Sequence, residues 1–165
     1  MKFDPENILK GRMAESLVEE LLKESGNKVY RFGYEAVLQN LTQLEKIFDR
    51  DSEVSQRIRS IPDFIVINKE GKPSFVEVKF RTNLKVYAEQ IKRLELIAKF
   101  WKAKIILVTT EKPYFRISYS PYLTNKKEWD WWPLERDKDL EVNKKILEEF
   151  DGLVEKYCII GKNKK

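Results

Sequence analysis

The apolar positions of this chain fall into blocks that alternate between helical and strand-like spacing. Asp4-Pro5-Glu6 opens a first helix, with Asp4 as N-cap and Pro5 at the first helical position. Ile8, Ala14, Val18, Leu21 and Leu22 carry its apolar stripe to about Ser25, where Gly26-Asn27 ends it. Residues 28–32 predict a short strand broken by Gly33, and residues 35–48 a second helix. The polar stretch 50–60 reads as a loop or an edge segment. Two strand-like runs follow, Ile61-Pro62-Asp63-Phe64-Ile65-Val66-Ile67 and Phe75-Val76-Glu77-Val78-Lys79-Phe80, joined as a hairpin. A helix is predicted over about 86–102. Residues 104–110 are almost continuously apolar, which suits a strand buried on both faces. Residues 115–119 alternate like an edge strand, and a last helix covers about 140–157. The order predicts an α/β fold with a central mixed β-sheet flanked by helices on both faces. A single domain over 1–165 is expected, with its core at about 5–120 and a C-terminal helical extension at about 121–165.

Five polar residues stand out against this pattern. Glu77 and Lys79 lie inside an apolar strand and, two apart, point to the same face. Asp63 joins them on that face only if the hairpin turn is odd in length, for example three or five residues around Glu70-Gly71. On a helical wheel Glu15 falls between Leu22 and Ile8, inside the apolar arc of the first helix, with Glu19 at its margin. A carboxylate aimed at a core needs a cation or a partner. Gln90 breaks the stripe of the later helix in the same way, between Ile97 and Trp101, where its amide would orient a neighbouring side chain or water.

Composition narrows the chemistry. The chain is 42% hydrophobic and 36% charged, as expected of a globular rather than a disordered protein. No apolar run approaches bilayer length and no signal-peptide pattern opens the chain, so a cytoplasmic, intracellular setting without membrane contact is expected. The single Cys158 fits that setting and reads as a small core hydrophobe. Histidine is absent, which excludes Ser-His-Asp and Cys-His catalysis and His-ligated zinc. Carboxylate ligation points instead to a hard cation such as Mg²⁺ or Mn²⁺. The net charge of +5 leans towards polyanions. Basic residues cluster just after the strand charges, with eight Lys/Arg against two acids over 79–104, and the balance reverses over 129–151.

Gly11-x-x-x-Glu15, Pro62-Asp63, Glu77-Val78-Lys79 and Gln90, in that order and in that strand and helix context, resemble the PD-(D/E)XK nuclease superfamily. Their spacing is similar to that of archaeal Holliday-junction resolvases and VRR-type nucleases, and the resemblance covers about residues 11–109. It implies a restriction-endonuclease-like fold and a Mg²⁺-dependent (or Mn²⁺-dependent) endonuclease that hydrolyses DNA, with RNA left open as a substrate. It also implies roles. Asp63 would be the central metal ligand, beside Glu77 and the Val78 carbonyl, with Glu15 reaching the metal directly or through water. Lys79 would orient the attacking water and offset phosphate charge, and Gln90 would steady Lys79 or the substrate backbone. Products would carry 5′-phosphate and 3′-hydroxyl ends. A competing reading is a nucleic-acid-binding module that keeps the fold without cutting, and a third is an interaction protein with an acidic face.

Arg57, Arg59, Arg81, Lys85, Lys92 and Arg93 are candidates for phosphate contacts without base readout. The tail Lys162-Asn163-Lys164-Lys165 could add to them. Trp129, Trp131 and Trp132 could stack on unpaired bases, although a hydrophobic lid over the core is the preferred reading. Glu35 reads as a helix cap or an additional acidic ligand. A homodimer would suit a two-strand cut.

Overall fold

A computed structural model describes residues 4–33, 49 and 51–159. The predicted helix over 35–48, Glu35 itself and the basic tail 162–165 lie outside the described residues. Among the described residues, six strands form one sheet in sequential order: β1 (Lys28–Arg31), β2 (Phe64–Ile67), β3 (Pro73–Arg81), β4 (Lys104–Thr109), β5 (Phe115–Leu123) and β6 (Trp129–Pro133). All neighbours are antiparallel except β3 and β4, which run parallel, so the sheet is mixed. The helices are α1 (Pro5–Glu24), α2 (Glu53–Arg59), α3 (Ala88–Phe100) and α4 (Lys144–Val154). The parallel pair requires a crossover, which α3 provides.

Strand alternation divides the core in two. Val76, Val78, Ile106 and Val108 face α1 and α4, together with Val18, Leu22, Phe150 and Val154. Ile105 and Leu107 face the other way, onto Leu94 and Ile97 of α3 and onto Tyr122 and Trp129. Helices therefore cover both faces, as the α/β pattern predicts. The residues of β4 from Ile105 to Thr109 are all buried, in keeping with their unbroken apolar run.

α1 begins as its sequence dictates. Asp4 accepts hydrogen bonds from the backbone N–H groups of Glu6 and Asn7, and Gly26 leaves the helix at φ +92°. The helix is anchored unevenly. No side chain from residue 4 to residue 13 is buried, whereas Ala14, Val18, Glu19, Leu21 and Leu22 are.

The hairpin turn is odd in length. β2 pairs with β3 from Phe64↔Val76 to Ile67↔Pro73, and Asn68 N–H donates to the Lys72 carbonyl at 3.1 Å. Three residues, 69–71, remain for the turn. Asn68 Oδ1 accepts from the backbone N–H groups of Glu70 and Lys72, and Gly71 takes the left-handed conformation at φ +82° that a three-residue turn needs. Carried one step beyond Phe64, this register sets Asp63 opposite Glu77.

Four expectations are corrected. The polar stretch before the hairpin contains a helix, α2, because Ser52 caps it by accepting from Ser55 N–H at 3.2 Å and Ser55 is buried beneath it. Trp101 holds α2 from below, its indole N–H donating to Ser60 Oγ and the Arg57 carbonyl. Phe32, Phe75 and Trp101 pack together there, with ring centroids 5.3–5.7 Å apart. β5 is an interior strand, since β6 pairs beyond it. Its Arg116 is buried yet satisfied by the carbonyls of Glu111, Lys112 and Pro113, and lies over the Trp131 ring at 4.0 Å. The segment after residue 120 is not only a helical extension, because it completes β5 and contributes β6. Finally, the last helix starts at Lys144, capped by Asn143, rather than at Leu140; Leu140 and Val142 are buried before it in the same core as α1.

Candidate active site

The strand period and the odd turn bring three charges together. Glu77 and Lys79 stand beside Ile105 and Leu107 on the α3 face of the sheet. Glu77 is fully buried. Its Oε1 accepts from Lys79 Nζ and, at 3.3 Å, from Arg93 Nη2, which reaches down from α3. Its Oε2 is buried with no hydrogen-bond partner among the described residues.

Asp63 is fixed through both its backbone and its side chain. Its carbonyl accepts from the N–H groups of Phe32 and Gly33 at 2.8 and 3.1 Å, and its Oδ2 accepts from Val78 N–H at 2.7 Å. Burial pushes the Asp63 carboxyl up to about 7, and the charge of Glu77 adds to that; Lys79 and the Val78 N–H oppose it, and Glu15 adds a smaller push upward. Burial also acts to raise Glu77, but the charges and hydrogen bonds of Lys79 and Arg93 hold its carboxyl below its ordinary value. One sheet face thus carries two carboxylates in unlike states, one clamped by cations and one short of positive charge.

Asp63 opens onto a cleft of about 930 Å³ that runs from α1, past the ends of β1 and β2, to α3. Glu15 lines it, and Gly11 stands one turn before it. Of the expected phosphate-binding residues, Arg59, Lys92 and Arg93 line this cleft. Arg57, Arg81 and Lys85 do not. Arg57 lies over the rings of Phe100 and Trp101. Arg81 donates to the Phe80 carbonyl, and burial lowers its pKa. Lys85 borders a separate groove beside Trp129 and Trp131.

Gln90 makes no hydrogen bond to the carboxylates among the described residues. Its Oε1 accepts from the Tyr87 backbone N–H at 3.3 Å, closing the first turn of α3. The residue from α3 that touches the site is Arg93, whose Nη1 also donates to the Arg59 carbonyl. Sequence reasoning missed two further basic residues of the cleft, Arg12 and Arg31. Arg12 lies three residues before Glu15, a helical spacing that could have pointed to it. Arg31 carries no comparable signal; it is held against Glu19 at 2.5 Å, and Lys23 and Arg31 keep the Glu19 carboxyl below its ordinary value although burial acts to raise it.

Among the described residues, no three acidic, histidine or cysteine side chains gather closely enough to form a metal cage. The register sets Asp63 opposite Glu77, and Mg²⁺ commonly uses only one or two carboxylates while keeping several waters. Glu77 Oε2 is buried with no hydrogen-bond partner among the described residues and Asp63 is a second carboxylate on the same face, so the donor set fits such an ion.

No protein-family model and no curated protein sequence matches this chain. Among solved structures it is similar to Archaeoglobus fulgidus Hjc, a Holliday junction resolvase from an archaeal hyperthermophile. That similarity extends over 82% of this chain and 97% of that one, at 17% sequence identity and a TM-score of 0.43.

Proposed function

We propose that this protein is a Mg²⁺-dependent (or Mn²⁺-dependent) deoxyribonuclease of the PD-(D/E)XK type, an endonuclease acting on structured or duplex DNA. The observation that carries the reading is the juxtaposition of Asp63, Glu77 and Lys79 on one sheet face, with Asp63 opening onto a cleft lined by Arg12, Arg31, Arg59, Lys92 and Arg93. Asp63, Glu77 and the Val78 carbonyl would hold the divalent ion, with Glu15 reaching it from α1. Such an ion, when bound, lowers the pKa of a coordinated water and offsets charge on the phosphate.

The chain's own residues supply the rest. The cleft arginines and Lys92 hold the DNA backbone without reading bases. Lys79, mostly shielded from solvent, presents an ammonium group beside Glu77, where it orients the attacking water and offsets charge that builds on the non-bridging phosphate oxygens. Water attacks phosphorus, the bond to the 3′ oxygen breaks, and the products carry 5′-phosphate and 3′-hydroxyl ends. Gln90 acts indirectly, by fixing the start of the helix that delivers Arg93.

A second reading, a binding module that retains the fold without cutting, draws on the clamp that Lys79 and Arg93 place on Glu77 Oε1. Two measurements on one set of proteins separate the readings. Supercoiled DNA should be nicked with Mg²⁺ or Mn²⁺, and nicking should vanish in Asp63→Ala and in Lys79→Ala. Mg²⁺ should also raise the melting temperature of the native chain and leave that of Asp63→Ala unchanged. DNA binding that persists in every variant, with neither nicking nor a metal-dependent melting shift, would establish the module instead.

A further inference from the structure

A second groove, of about 640 Å³, lies at the start of α3, away from Asp63. One side is the segment from Leu84 to Tyr87 that leads from β3 into α3; the other is the β5–β6 turn with Lys127, Trp129 and Trp131. Tyr87 is 55% exposed although its ring is large and apolar. Arg116 lies over the Trp131 ring at 4.0 Å, which steadies that indole as a wall of the groove. Trp129 is 6% exposed, and its indole N–H is buried with no acceptor among the described residues. Lys85 and Lys127 flank the aromatic residues, with Glu128 as the one acid. The turn fixes Lys127: its N–H donates to the Thr124 carbonyl at 2.8 Å, and it takes φ +59°.

We infer that this groove is a subsite for an unpaired nucleobase of single-stranded DNA. Tyr87 and Trp131 provide stacking surfaces, and Lys85 and Lys127 meet the adjoining phosphates. Aromatic stacking between lysines is how sequence-tolerant single-strand sites are built. The volume lies within the range of small-molecule sites. Tyr87 immediately precedes α3, while Glu89 and Lys92 of its first two turns line the cleft, so the groove and the cleft flank the same helix end. A DNA strand leaving a duplex held in the cleft would reach the groove. The inference rests on the DNA-cleaving reading above and adds a preference for substrates with an unpaired segment.

The test is fluorescence anisotropy with the full chain at low salt, comparing a labelled ten-nucleotide oligothymidylate with a blunt duplex of equal length. Trp131→Ala should weaken oligothymidylate binding roughly tenfold or more, the scale of one lost base stack. Tyr87→Ala and Lys127→Ala should weaken it severalfold, and duplex binding should stay within about twofold. Tyr87 is exposed, so Tyr87→Ala keeps the test decisive if Trp131→Ala fails to fold. Absence of oligothymidylate binding by the native chain overturns the subsite, as does equal loss on both DNAs. Tyr87-dependent single-strand binding without any metal-dependent nicking would leave the subsite standing and remove the nuclease reading. Nicking with Tyr87-independent binding would do the reverse.

Discussion

At the scale of single residues, the same side-chain chemistry takes different states according to its neighbours. Asp63, half-buried, and Glu77, fully buried, are carboxylates on one face, yet one is pushed up and the other held down. Asp139 shows the surface counterpart. Its Oδ1 pairs with Lys72 at 2.7 Å and its Oδ2 with Lys104 at 2.9 Å, hydrogen bonds that hold its carboxyl down at about 2. A depressed carboxyl stabilises the fold above the ordinary value of 3.8, and that contribution is lost as the pH falls through about 2. Asp139→Asn should therefore unfold at lower urea than the native chain at pH 6, and the gap should close as the pH approaches 2. The candidate triad was legible in the sequence because a strand's period of two is a local property, so Glu77 and Lys79 announce themselves as charges on an apolar strand. Gln90 looked equivalent on its helical wheel. Its position three residues after Tyr87 decides otherwise, because an unsatisfied N–H at the helix start competes for its side-chain oxygen.

At the scale of elements, the hairpin converts that local pattern into a site. Asn68 and Gly71 set a three-residue turn, and the turn sets the register that brings Asp63 opposite Glu77. A Cβ at Gly71 would meet no atom within 4 Å, so the cost of substitution there is conformational rather than steric. Gly71→Ala should lower stability by about 1–2 kcal/mol, the cost of a left-handed residue with a side chain, measured by urea unfolding. The sequence showed the need for an odd turn without showing which one, since both three and five residues satisfy the alternation. α2 was illegible for a different reason. Val54 is exposed and only Ser55 is buried, so it has no apolar stripe, and its support comes from Trp101, more than forty positions away. β6 escaped notice because three tryptophans around an aspartate read as an aromatic patch until a partner strand is supplied.

At the scale of the whole molecule, the C-terminal third is part of the core. Leu140, Leu147, Phe150 and Val154 share a cluster with α1 and with Val76, Val78, Ile106 and Val108, and Trp129 belongs to the cluster on the other face. Truncation after residue 120 should abolish cooperative thermal unfolding followed by circular dichroism, although every proposed catalytic residue would remain in the chain. The uneven anchoring of α1 has a consequence for exchange between folded and locally opened forms. Residues 4–13 have no buried side chain, so they can fray at a small fraction of the free energy that global unfolding requires, whereas the half from Ala14 onward opens only with the core. The boundary between these regimes falls between Arg12 and Glu15. Arg12 lies on the half that can yield, and Glu15 lies just beyond it, one residue past Ala14, where the helix is held. A single helix thus gives the cleft a compliant rim and a rigid floor.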